Sequence, residues 1–312
     1  MKIIVMFPLI GLSSLMMLQA QAEPFNEGPK QCLECHEAEY DVWKQSKHFS
    51  AYKAVHKKPE SKAILKAADA GKSMKRNKIC SVCHYTNVRK TADTPAKAKA
   101  GPSCESCHGP SSQWRVMHDD YGGDTSTTAE NESPEDKAKR RSNAKSAGMI
   151  WPFMHYDIAA NCMSCHGLVR DEIEPDIFEK IIAANHPANN DFEFIKYSQG
   201  SVRHRFYPPN DSVNAEPSAP ELSRLFVIGQ AAKLVSASAA AKRASEGAYK
   251  AFQTQRVEDA REVLARITDV DAIKALMDAP TEENGRNLAD AIKDKDLSSK
   301  VGSLLPTKDA YK

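Results

Sequence analysis

Four copies of Cys-x-x-Cys-His constrain this chain more than any other feature. They run Cys32–His36, Cys80–His84, Cys104–His108 and Cys162–His166, and together they use all eight cysteines of the 312 residues. The pattern is that of c-type haem attachment. Two thiols at this spacing add across the porphyrin vinyl groups, and the adjacent histidine reaches one axial face of the iron. Paired zinc sites would need four thiolate or imidazole ligands per metal and give no reason for a histidine after each second cysteine. A thioredoxin-like redox pair does not account for four copies. The expected cofactors are four covalently attached haem c groups, held by Cys32, Cys35, Cys80, Cys83, Cys104, Cys107, Cys162 and Cys165. His36, His84, His108 and His166 are the expected proximal iron ligands.

That chemistry dictates the fold. The stretch 23–208 offers fewer than about fifty residues per haem, too few for a conventional core around each. The porphyrins must themselves be the core. The expected class is mainly α, an irregular haem-wrapped domain of short helices and loops, followed by a C-terminal helical segment. Phe192 to Tyr197 carries a weak strand pattern, and the polar stretch 119–148 reads as a mobile surface loop. All ten histidines precede Tyr207. A Pro-rich linker over 209–220 follows, and 221–312 is alanine-rich and helical by its apolar spacing. Apolar stripes predict one helix over 221–253, a second around Val257–Ile267 and a third around Ala272–Leu276. Thr281, followed by Glu282 and Glu283, predicts a further N-cap.

Residues 1–22 read as a secretory signal: Met1-Lys2, an apolar run from Ile3 to Leu18, then small residues before Glu23. Export agrees with haem attachment outside the cytoplasm, so the expected location is the periplasm. The formal charge of +2 gives no support to a nucleic-acid role. The lysine runs at 57–58 and 137–141 read as solvated faces that would also steer a partner.

Six histidines stand outside the motifs: His48, His56, His118, His155, His186 and His204. The segment from His36 through Trp43 and Ser46 to His48, and Cys104–Pro110 followed by His118, resemble the tetrahaem cytochrome c-554 family over most of 28–204. The resemblance implies that His48 pairs with His108 on the third haem and His118 with His36 on the first. It also implies a late histidine on the fourth haem, and His204 lies nearest that offset, opposite His166. In that family the second haem has an open face. Here His186 is the favoured ligand opposite His84, with exchange of roles with His204, or use of His155 or His56, as alternatives. Met117, Met149 and Met154 are weaker candidates. The last ninety or so residues and the charged insertion after His118 lie outside the resemblance.

Bis-histidine ligation removes the open position that substrate chemistry needs. The expected function is therefore electron transfer between redox proteins, with a membrane quinol dehydrogenase or a terminal reductase among the candidate partners. The alternative is a reductase for nitric oxide, nitrite or hydroxylamine at an open second haem. The lack of a CxxCK motif and of a fifth haem motif argues against dedicated nitrite reduction. A conducting filament with histidines exchanged between subunits is a third reading.

Overall fold

The computed structural model describes residues 23–122, 125–188, 192–207 and 210–312. The expected signal segment lies outside them.

Short helices carry the first half. Helices α1 (Lys30–Leu33), α2 (Glu37–Gln45) and α3 (Lys47–Ala54) follow one another around the first motif. Ser46 divides α2 from α3: its backbone is extended and its hydroxyl accepts from Phe49 N–H, as an N-cap should. Helix α4 (Ser61–Ala67) leads to α5 (Lys78–His84), which is the second motif itself, capped by Asn77. Strands β1 (Thr86–Val88) and β2 (Lys97–Ala100) form an antiparallel pair. The third motif is α6 (Cys104–His108), begun by a capping box between Ser103 and Ser106. Helix α7 (Arg115–His118) ends on a candidate ligand.

The expected loop over 119–148 contains a thirteen-residue helix, α8 (Pro134–Ser146). Ser133 caps it, Pro134 takes the first turn, and Glu135 and Asp136 meet the positive end of the dipole. Its charge density masked these start signals. Ala144 is fully buried beside Trp114 and Met149, which fixes the helix on the domain.

The fourth motif ends α9 (His155–His166), and α10 (Pro175–Ala183) follows. The weak strand pattern at 192–197 is instead a short helix, α11 (Phe194–Ser198). The Glu193 carboxylate caps it, accepting from the N–H groups of Ile195 and Lys196. Local capping outweighs a short apolar alternation here.

The C-terminal part is α12 (Ala219–Arg243), α13 (Ala248–Leu264), α14 (Asp271–Asp278), α15 (Glu282–Ile292) and α16 (Ser298–Val301). The single helix expected over 221–253 is broken between α12 and α13. Glu179 of α10 accepts from Ala248 and Tyr249 N–H, giving the new helix its start. Thr281 caps α15 as its sequence predicts, accepting from Asn284 N–H. The main core is shared by both parts of the chain. Tyr156, Ala159 and Met163 of α9 and Phe194 and Ile195 of α11 pack with Val227 and Leu234 of α12, Leu264 of α13, Leu276 of α14 and Leu288 of α15. Among the described residues no helix is long and apolar enough to cross a membrane.

Candidate haem sites

Each motif histidine faces a second histidine. Ring centroids are 6.2 Å apart for His36 and His118, 5.9 Å for His84 and His186, 6.1 Å for His108 and His204, and 6.0 Å for His48 and His166. These rings are too far apart for stacking contact. An imidazole–metal bond of about 2 Å on each side, plus about 1.2 Å from nitrogen to ring centre, puts two trans ligands roughly 6 Å apart. All four gaps therefore fit one iron between two imidazoles.

The nitrogens support this geometry. Nδ1 of His108 bonds Ile150 O at 2.8 Å, that of His186 bonds Pro187 O at 3.1 Å, and that of His204 bonds Val202 O at 2.6 Å. His118 Nδ1 bonds Arg115 O, and His36 Nδ1 lies 3.7 Å from the Glu39 carboxylate. A carbonyl partner fixes the tautomer with hydrogen on Nδ1 and leaves Nε2 for the metal. Burial pulls His84, His108 and His166 down to about 4, so these rings are neutral, as ligation demands.

Two pairings differ from those the resemblance implied. His48 faces His166 rather than His108, and His204 faces His108 rather than His166. Motifs three and four cross at Asn161, whose side chain donates to Cys107 O at 3.1 Å. Helix α3 reaches this crossing with its backbone against Gly101, where a Cβ would meet His48 O at 1.9 Å. Trp43 Nε1 donates to Pro102 O at 2.8 Å and pins the same junction. Offsets along the chain do not encode a crossing, so they could not choose between two motifs that lie together.

The other candidate ligands are engaged elsewhere. His56 Nδ1 bonds the Tyr85 hydroxyl at 3.4 Å, and His155 opens α9 close to Glu221 and Arg205. Met149 lies in the small core under α8, Met154 Sδ accepts from Trp151 N–H, and Met117 is exposed.

The thiols show which motifs are neighbours. Cys32 and Cys104 are within hydrogen-bonding reach, as are Cys83 and Cys165. Cys107 lies near both Cys165 and Cys162. The motif order in space is thus first, third, fourth, second. Burial pushes the Cys80 and Cys107 thiols up to about 11.

Sequence reasoning missed the carbonyls that orient the rings, because a backbone acceptor has no residue signature. It also missed Arg170, which lies by the Cys83–Cys165 junction and donates to Val82 O at 3.1 Å. The Nε atoms of Arg170, Arg203 and Arg205 are buried without a partner. Orphaned guanidinium donors beside the ligand pairs suit an acidic, propionate-bearing group. A cavity of about 350 Å³ lies behind α9, lined by Tyr156, Ala160 and Ser164. These alternate along the helix with Cys162 and His166, so the cavity is on the face away from the ligand pairs.

Residues 31–109 match the family model described as "Cytochrome c554 and c-prime". That segment, which holds the first three motifs, is similar to the cytochrome c-554 family. A relative, cytochrome c-554 of Nitrosomonas europaea, is 29% identical over 163 residues, which are 51% of this chain. The match spans 63% of that relative's length. No solved structure matches the chain. Similarity to a c-type cytochrome implies covalently bound haem c at Cys-x-x-Cys-His motifs, and the ring pairs and the unpartnered Nε atoms of Arg170, Arg203 and Arg205 fit that group.

Proposed function

We propose that this chain is a periplasmic tetrahaem electron carrier with all four irons held between two histidines. The observation that carries the reading is the set of four ring pairs at 5.9–6.2 Å. The assigned pairs are His36 with His118, His84 with His186, His108 with His204, and His166 with His48. Bound haem c supplies an iron that takes up and releases one electron.

The residues do the rest. Two imidazoles would hold each iron in one geometry in both oxidation states, which would keep reorganisation on electron transfer small. The carbonyl bonds to Nδ1 fix ring orientation and raise ligand basicity. Thiol neighbourhoods support electron passage in the order first, third, fourth, second motif. Partners are redox proteins that dock at the ends of that series. His186 opposite His84 supports a closed second site, which removes the reason to assign reductase chemistry there.

The test is exposure of the reduced protein to nitric oxide. Absence of a haem–nitrosyl signal fits four closed irons. A stoichiometric nitrosyl on the unaltered protein overturns the carrier reading in favour of a ligand-binding enzyme.

A further inference from the structure

Arg256 is the most deeply buried cation among the described residues, 3% exposed on α13, and its close partners are all neutral. Nη1 donates to Gln253 Oε1 at 2.7 Å and reaches Gly167 O at 3.5 Å. Nη2 contacts Met163 Sδ at 3.2 Å and Ser236 Oγ at 3.3 Å. Gln253 Nε2 also donates to Gly167 O, at 2.8 Å, and the Tyr249 hydroxyl donates to Leu168 O at 2.6 Å. Three residues of α13 thus hold the carbonyls of Gly167 and Leu168, the two residues that follow His166 at the end of α9. The approach is close: a Cβ on Gly167 would meet Arg256 Nη2 at 2.5 Å.

A buried guanidinium without a carboxylate partner is costly. What compensates it is the negative end of the α9 dipole. Asp259 and Tyr249 act on it only through space, and Lys233, which faces Glu193 and Asp259, is near enough to repel it. Burial draws Arg256 down to about 10, which leaves it charged at neutral pH. The same dipole end carries His166, so the charge stands close to the fourth haem site in a low-dielectric core.

We infer that Arg256 sets the reduction potential of the fourth haem, and that the C-terminal helices are therefore part of the redox module rather than an accessory. This inference rests on the proposed ligation of His166. A fixed cation favours the ferrous state, which carries one positive charge fewer, and it offsets the α9 carbonyls that favour the ferric state. Arg256 acts through the field and touches neither iron nor haem ligand.

The experiment is an optically monitored redox titration of the haem-loaded full chain and of Arg256→Gln, Arg256→Lys and Ser236→Asp. Removing the charge in Arg256→Gln, or neutralising it in place in Ser236→Asp, should lower one midpoint by about tenfold in the ferrous to ferric ratio, which is 59 mV for one electron. Arg256→Lys should keep the parent value. Four unchanged midpoints in both charge-altering variants overturn the inference. So does a shift of equal size in Arg256→Lys, which would assign the effect to packing. Loss of low-spin signals from the parent protein would instead count against the ligation itself, so the two failures are distinguishable.

Discussion

Where a carbonyl holds Nδ1, a histidine keeps Nε2 free for a metal. His108, His118, His186 and His204 each bond a carbonyl through Nδ1, whereas His56 Nδ1 is taken by a tyrosine hydroxyl. The pairing of His48 with His166 makes a prediction at this scale. His48→Ala should turn one haem high-spin, and it should be the fourth. In a background without that attachment site, Cys162→Ala with Cys165→Ala, adding His48→Ala should leave the remaining low-spin signals untouched in EPR. If it opens another haem there, His48 serves His108 after all. The four Cys-x-x-Cys-His motifs were legible as candidate attachment sites because thioether chemistry demands a fixed local spacing. His118 was legible as a candidate through the resemblance, and His186 through the density of haem motifs. The partners of His48 and His204 were not, because a distal ligand arrives from another part of the chain.

Elements hold these ligands by capping and close approach. Gly101 lets α3 touch the strand end, and the obstacle to a side chain there is backbone, which cannot swing aside. Gly101→Ala should push α3 away at a cost of about 2 kcal/mol, and a fraction of the fourth haem should become high-spin. Unchanged spectra and denaturation midpoint would show that α3 has another resting place. Arg140 of α8 joins the distal side of the first haem site to the charged insertion. It donates to His118 O at 2.7 Å and pairs with Glu132, whose side chain is 1% exposed. Arg140→Met leaves that carboxylate with only Lys137, 3.7 Å away, as an ion-pair partner, so a loss of about 2 kcal/mol is expected, with faster amide exchange across α7 and α8. The Arg140 bond holds the Glu132 carboxyl below the usual carboxylate range. A depressed folded pKa gives stability that is complete above the unfolded value of 4.5 and lost as pH falls through the lower folded value. The protection of α8 amides relative to their intrinsic exchange should therefore fall in acid, and Glu132→Gln should flatten that dependence. Helix α8 was hidden in the sequence because its run of charged residues leaves almost no apolar periodicity to mark it.

Over the whole molecule, haem economy and helix packing divide the work. The motif-bearing half forms short elements, and it supplies Ile64, Leu65, Phe178 and Ile181 to a second apolar cluster that Ala240, Tyr249 and Phe252 of the C-terminal helices complete. The C-terminal helices supply the large aliphatic core and close it over α9 and α11. Apolar periodicity revealed those helices, but not that their inner face is completed by Tyr156, Met163 and Ile195 from the haem-bearing half. A chain ending at Ser218 should leave that face of α9 in water and be recovered as aggregate, even with haem attached; a soluble, monomeric product with parent spectra would show that the first half stands alone. The central claim is four irons, each between two histidines, and low-temperature EPR of the fully oxidised protein with spin quantitation measures it directly. The account predicts low-spin ferric signals summing to four per chain. A high-spin signal amounting to one haem would contradict it.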